Sequence, residues 1–298
     1  MLSYHNRFAY SAIVDRPVYD WPHGKRLAVY LAINVEHWPF GEGEGAQLTG
    51  GEPPPNVRAW GWRDYGNRVG IWNLLELFEE LKLPAVINLN SEIYGYCPRI
   101  VEPWRARGDE IVGHGRTNGE RQVNFREDDE RHLIRMATEA FTKHEGKPPA
   151  GWLGPYFSQS RVTPDLLKEA GYLYMLDWHN DDQPYWLRTR AGPLLSVPYP
   201  HETNDSPVIQ HRMASAAAFA DQIVDEFEEM LRMSAARPLV CPIALHHFIV
   251  GRPFRMPHLR RALKHIAGKR DRIWLTRSGD IARHAMSLPG GMVPGSEE

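Results

Sequence analysis

The chain has 298 residues, enough for one large α/β domain or two small ones with a buried core. Lys and Arg total 35 against 37 Asp and Glu, a formal net charge of -2, so neither nucleic acid nor an anionic membrane is indicated as a partner. No apolar run reaches the length of a membrane span, residues 1–8 lack a secretory pattern, and Cys97 and Cys241 fall in unrelated contexts, which together point to a reduced, cytoplasmic setting.

Strand and helix patterns alternate from end to end. Residues 26–36 form a nearly continuous apolar run, expected of a strand covered on both faces. A Gly- and Pro-rich loop follows from Trp38 to about Asp64, long enough to suggest function or mobility. Residues 67–82 group Val69, Ile71, Trp72, Leu75 and Phe78 toward one side, predicting an amphipathic helix. A strand over 84–90, a helix over 98–107 and a strand ending at His114 come next. The charged helix 127–145 stops at Gly146, a residue suited to a left-handed C-terminal turn.

Further strands are predicted at 152–156, 172–177, 194–199, 239–245 and 273–275. Helices are predicted from Thr163 and over 215–234, 257–268 and 278–286. No repeat or composition shift marks a domain boundary. The pattern predicts an α/β fold: one domain over 1–287, its sheet open or closed into a barrel of about seven strands, with 288–298 as a disordered tail.

In such barrels the chemistry sits at the carboxyl ends of the strands. Those ends carry Glu36 and His37, then Asn88, Asn90 and Glu92, then His114 with Asn118 four residues on. Tyr156, the run Asp177–Asp182, His201 and Glu202, and finally His246 and His247 complete the ring. Buried charges are costly unless paired, so a ring of them implies a polar cavity. Side chains alternate along a strand, so only one of His246 and His247 can face the mouth. Asp181 and Asp182 fit a turn as well as a site, and Trp152, Trp178 and Trp186 fit core or pocket wall.

A carboxylate, imidazoles and an amide can hold a zinc-like divalent ion, and a separate imidazole can protonate a leaving amine. That is a toolkit for hydrolysing an amide with an activated water. The Gly41–Gly45 stretch is acidic and unsuited to phosphate, and no nucleophilic serine elbow is present.

Several segments carry a family resemblance: Tyr65-Gly-Asn-Arg-Val-Gly70, Gly113-His-Gly115, Gly151-Trp-Leu-Gly-Pro-Tyr156, Asn180-Asp-Asp-Gln-Pro-Tyr-Trp186, and Leu245-His246 with Val250-Gly-Arg-Pro253. In this order they resemble the polysaccharide deacetylase (NodB-homology, carbohydrate esterase 4-like) superfamily over about 15–286, with most likeness to the branch of PuuE-type allantoinases and cyclic-imide hydrolases. The resemblance implies a distorted (β/α)7-type barrel. It places Glu36 at the metal-binding acid and Asn34 at the catalytic base, a role an amide cannot fill. Asn118 stands where the second metal histidine belongs, and Leu153 replaces the arginine that orients the base. Tyr156 and His246 match the family pattern.

The expectation is therefore a hydrolase of non-peptide C–N bonds in a small ureide, imide or N-acyl compound. Glu36 or His37 activates water, and His246 protonates the leaving nitrogen. Glu36, His114 and Asn118 are the candidate ligands of one divalent metal, which the resemblance also allows to be absent. Arg68, Glu92, Tyr156, Asp182 and Trp186 are the candidate substrate contacts. The rival readings are a metal-dependent N-deacetylase of an acetylated amine or sugar and a non-catalytic small-molecule binder. The only partner expected besides substrate is a second copy of the chain, since the relatives form homo-oligomers.

Overall fold

The first strand, β1 (Leu27–Val35), is buried along its whole length, as its unbroken apolar run requires. The computed structural model describes residues 5–41 and 55–296. Of the loop expected between Trp38 and Asp64, residues 42–54 lie outside the described part. Its last part is helical: α1 (Val57–Tyr65) passes through a π-helical turn, Gly66–Gly70, into α2 (Ile71–Glu80). The chain continues through β2 (Val86–Leu89), α3 (Ile93–Tyr96), α4 (Val101–Ala106), β3 (Glu110–Gly113) and α5 (Glu127–Glu145). Then come β4 (Gly151–Trp152), α6 (Thr163–Glu169), β5 (Tyr174–Met175), β6 (Tyr185–Leu187) and β7 (Leu194–Ser196). The last elements are α7 (Ala216–Met233), β8 (Leu239–His246), α8 (Met256–Ala267), β9 (Trp274–Thr276) and α9 (Ser278–Ser287).

The strands form one sheet in the order β6-β7-β5-β4-β3-β2-β1-β8, with β9 beside the first half of β1. All pairs are parallel except β6 with β7. Beyond β7 the chain reaches β8: Asn204 bridges Ala244, whose N–H donates to the Thr203 carbonyl. The sheet thereby curls into the distorted barrel of the expected fold class, with nine strands among the described residues where about seven were expected.

The two-residue period of the strands divides the core. Ala28, Tyr30 and Ala32 of β1 face inward and pack with Val86, Val112, Leu153 and Ala244. Val29, Leu31, Ile33 and Val35 face outward and meet the helices. Each buried Val, Leu or Ile contributes about 1.5–3 kcal/mol, so a one-residue slip of β1 is excluded. Asn34 lies level with Asn88 on one side and His246 on the other. The inward parity that carries Asn34 then delivers Glu36 to the barrel mouth.

Three expectations are corrected. The strand predicted over 152–156 stops at Trp152, because Tyr156 and Phe157 turn into the left-handed region at φ 60° and 55°. β6 was not anticipated; it begins at the end of the Asn180–Trp186 motif. The tail is packed over 288–296: Val293 is buried, and the Trp186 N–H donates to the Pro294 carbonyl. Residues 297–298 lie outside the described part. Helix α5 ends as expected, with Gly146 at φ 74°. No helix among the described residues is long and apolar enough to cross a membrane.

The π turn is pressed against β8. A Cβ on Gly70 would stand 2.0 Å from the His247 carbonyl oxygen, so backbone would have to move. Gly70→Ala is expected to cost about 1–3 kcal/mol by overpacking, read as a lower urea midpoint. An unchanged midpoint would show that the two elements do not pack as described.

Candidate functional site

Glu36 is the first residue past β1, and its carboxylate is buried. Its Oε1 stands 3.4 Å from His246 Nε2 and 3.6 Å from His114 Nε2. Each imidazole is held from behind. His246 Nδ1 lies 2.6 Å from Asp205 Oδ1, and the His246 backbone N–H donates to Asp205 Oδ2 at 2.8 Å. His114 Nδ1 lies 2.7 Å from the Leu153 carbonyl oxygen, which can only accept, so that nitrogen carries the proton. His114 Nε2 then faces Glu36 as a buried atom with no hydrogen-bond partner among the described residues.

The Gly-His-Gly segment has a local reason. Gly115 has φ 67°, and a Cβ there would meet the Pro155 ring at 2.9 Å. Only glycine both turns the chain away after His114 and clears the β4 loop. Asn90 ties three segments together. It accepts the His37 N–H at 2.8 Å, donates to the His114 carbonyl, and donates to Asn118 Oδ1 at 3.1 Å. Below lies an amide floor: Asn88 donates to Asn34 Oδ1 at 3.0 Å, and Asn34 donates to the Tyr199 hydroxyl at 2.9 Å. Asn67, in the π turn, donates to the Glu36 carbonyl at 3.2 Å and lies 2.8 Å from His247 Nε2.

Burial works against every charge here, and the partners decide the outcome. For Glu36, burial pushes the pKa up, but the His246 charge foremost and the hydrogen bonds overcome it and hold the carboxyl well below its usual range. For His246, burial pushes down, yet Asp205 and then Glu36 drive its pKa up to about 10, so the ring is an imidazolium at neutral pH. Asp205 is raised, chiefly by burial. His247 faces away from the mouth and is pushed down by burial to about 3; it is the neutral packing residue of the pair. Asp177 is pushed up by burial to about 6 while it accepts the Gly154 N–H at 2.6 Å and anchors the Tyr156 loop.

The structure thus gathers Glu36, His114 and His246 and leaves other candidates apart. The His37 ring faces Tyr96 at 4.8 Å, and burial lowers its pKa. Asn118 spends its amide oxygen on Asn90. Arg68 is exposed and paired to Asp64, and exposed Glu92 lies 4.0 Å from Arg116. Tyr156 stands at the mouth, its ring 5.7 Å from that of Trp38. Asp182 and Trp186 are corrected as pocket walls. They line a separate cavity of about 1750 Å³ with Tyr10, His201 and Glu226, which none of Glu36, His114 and His246 touches. Asp182 is tied there because its carbonyl accepts the Val240 N–H at the start of β8, the opposite end from His246.

Asp205, which no sequence signal singled out, sits in a Thr-Asn-Asp-Ser-Pro turn; only its proximity to a buried histidine reveals it. Asn90 was visible as a strand end but carried no chemistry of its own. The metal ligands implied by the resemblance do not make a three-donor set. Glu36 and His114 face each other, Asn118 is engaged, and among the described residues no group of three or more His, Cys, Asp or Glu is placed to hold an ion. A structural or catalytic zinc site needs at least three such donors, and this set falls short of that.

The polysaccharide deacetylase family model matches residues 62–175. A Schizosaccharomyces pombe protein named "Putative polysaccharide deacetylase" is 26% identical over 296 residues, covering 88% of this chain and 91% of that protein. The crystal structure of PuuE allantoinase superposes with a TM-score of 0.84 at 28% identity, covering 93% of this chain and 97% of the other. A "probable polysaccharide deacetylase" from Pseudomonas aeruginosa PAO1 superposes with a TM-score of 0.81 at 29% identity, covering 92% and 97%. In sequence and in fold the chain is similar to members of the polysaccharide deacetylase (NodB-homology) superfamily. At that level it is a hydrolase of carbon–nitrogen bonds other than peptide bonds.

A histidine whose pKa is raised on folding stabilises the fold fully below its unfolded value, near 6.5, and loses that contribution as pH rises through the folded value. Urea stability is therefore expected to fall between pH 6.5 and about 10. Asp205→Asn, which removes the largest raising influence, should lower the His246 pKa and flatten this slope. Parallel pH profiles of the two proteins would contradict the assignment.

Proposed function

We propose that the chain hydrolyses an amide C–N bond in a small ureide or imide, using Glu36 as base and His246 as acid. The observation that carries this reading is one buried carboxylate lying between two imidazoles held in different ways, at 3.4 and 3.6 Å. A water within reach of Glu36 and His114 Nε2 can donate one hydrogen to each, leaving its lone pairs toward the substrate carbonyl. Its oxygen bonds to the carbonyl carbon as its proton passes to Glu36. The C–N bond then breaks, and the leaving nitrogen takes the proton from His246 Nε2. The Glu36 proton restores His246, and the products are a carboxylic acid and, on the leaving nitrogen, an amide from an imide or a urea from a ureide.

A strongly acidic carboxyl is a weak base, and the site offsets this by coupling the two transfers. The charge on His246 is the main influence holding the Glu36 pKa down. As His246 gives its proton to the leaving group, that influence disappears and Glu36 holds its proton more tightly. Small amides fit this arrangement better than an acetylated glycan, because the metal donors implied for a deacetylase are incomplete. The Tyr156 loop supports a functional mouth: non-glycine residues in the left-handed region cost about 1–3 kcal/mol each and cluster at such sites.

The test is a panel of imides, ureides and N-acetyl compounds. On any compound turned over, His246→Ala and Glu36→Gln should each lower kcat by roughly 10²–10⁴-fold. The native profile should fall on the alkaline side near pH 10, where His246 loses its proton, and Asp205→Asn should move that limb toward neutrality. Unchanged turnover in His246→Ala would remove that residue from the mechanism.

A further inference from the structure

Two residues beyond Glu36, Trp38 is buried against the Tyr156 ring, the two meeting edge to face at 5.7 Å. The guanidinium of Arg121, an exposed side chain, stacks over the Tyr156 ring, 4.2 Å from its centre. Among the described residues it has no carboxylate or carbonyl partner. The nearby acids are committed: Glu120 lies 3.4 Å and Glu92 4.0 Å from Arg116. Behind Trp38, Arg63 stacks on the indole at 3.9 Å. The aromatic pair is thus flanked by cations.

We infer that the substrate is a planar amide ring or ureide bearing a carboxylate at the end remote from the scissile bond, and that Arg121, stacked on Tyr156, reads that carboxylate. This rests on the reading of Glu36 and His246 as the reacting pair. The charge count sets the polarity of the substrate. Glu36 and Asp205 are negative and His246 is positive, so the reacting centre repels an anion placed directly on it. A carboxylate is therefore tolerated only at the outer end of a bound molecule, where Arg121 stands. A guanidinium held flat on a ring keeps its N–H edge free for a carboxylate. The exposed ring of Tyr156 supplies apolar surface for a planar ring beside the carboxylate.

The probes are hydantoin, succinimide and dihydrouracil, each compared with the same ring carrying a carboxyl or carboxymethyl group. The carboxylated ring should show a KM at least roughly tenfold below its neutral partner, the gain of one charge-assisted bond. Arg121→Gln should bring the KM ratio of the pair close to one, and Arg121→Lys should restore part of it. Added salt should raise KM for the carboxylated ring alone. A ratio unaffected by Arg121→Gln, or neutral rings taken equally well, would overturn the inference.

Equilibrium binding, followed by tryptophan fluorescence, separates this from the catalytic reading. Selective binding of carboxylated rings that Arg121→Gln abolishes, without turnover, would uphold the anion site and reject the proposed reaction. Turnover of neutral rings with no dependence on Arg121 would do the reverse. Binding of neither member of any pair would overturn the anion site.

Discussion

A carboxylate sealed inside a barrel survives as an anion only where positive charge and hydrogen bonds replace the water it has lost. Glu36 has that replacement in His246, and His246 has it in turn from Asp205. The three form one electrostatic unit in which each charge justifies its neighbour. Breaking such a buried unit on one side leaves an uncompensated charge, which is why it constrains everything around it. His114 stands on the other side of Glu36, at 3.6 Å. A proton on its Nδ1 is held by the Leu153 carbonyl, which turns its Nε2 toward Glu36.

The fold serves this unit through register. Pairing of β1 with β2 and β8 sets Asn34 level with Asn88 and His246. Inward alternation then presents Glu36 above an amide floor of Asn34, Asn88 and Tyr199. Asn34 cannot be the base that the family resemblance places there, and the structure gives it a different task, tying β1 to Tyr199 and the Leu245 carbonyl. The exchange of an ionisable base for an amide is matched by Leu153, whose side chain fills the barrel core while its backbone directs His114.

Much of the fold was legible because its signals are local or periodic. The β1 run, helix α5 with its Gly146 stop, and the opposite facing of His246 and His247 follow from side-chain period and glycine conformation alone. Glu36, His114 and His246 could be expected in one mouth because each ends a parallel strand. Asp205 could not, because its importance comes from a contact with a residue 41 positions away. Asp182 and Trp186 misled for a related reason. A polar run after a strand looks like mouth lining, but its backbone pairs with the start of β8 and carries those side chains to another cavity. The tail looked disordered by composition, and tertiary packing of Val293 overrides that bias.

The central claim is that Glu36 stays ionised because His246, held between it and Asp205, carries two protons. Nitrogen NMR of the histidine side chains in the native protein at pH 7 reads this directly. The account predicts that His246 is protonated on both nitrogens, and that His114 carries a proton on Nδ1. A neutral His246 at that pH, or a proton on His114 Nε2 instead of Nδ1, would contradict it.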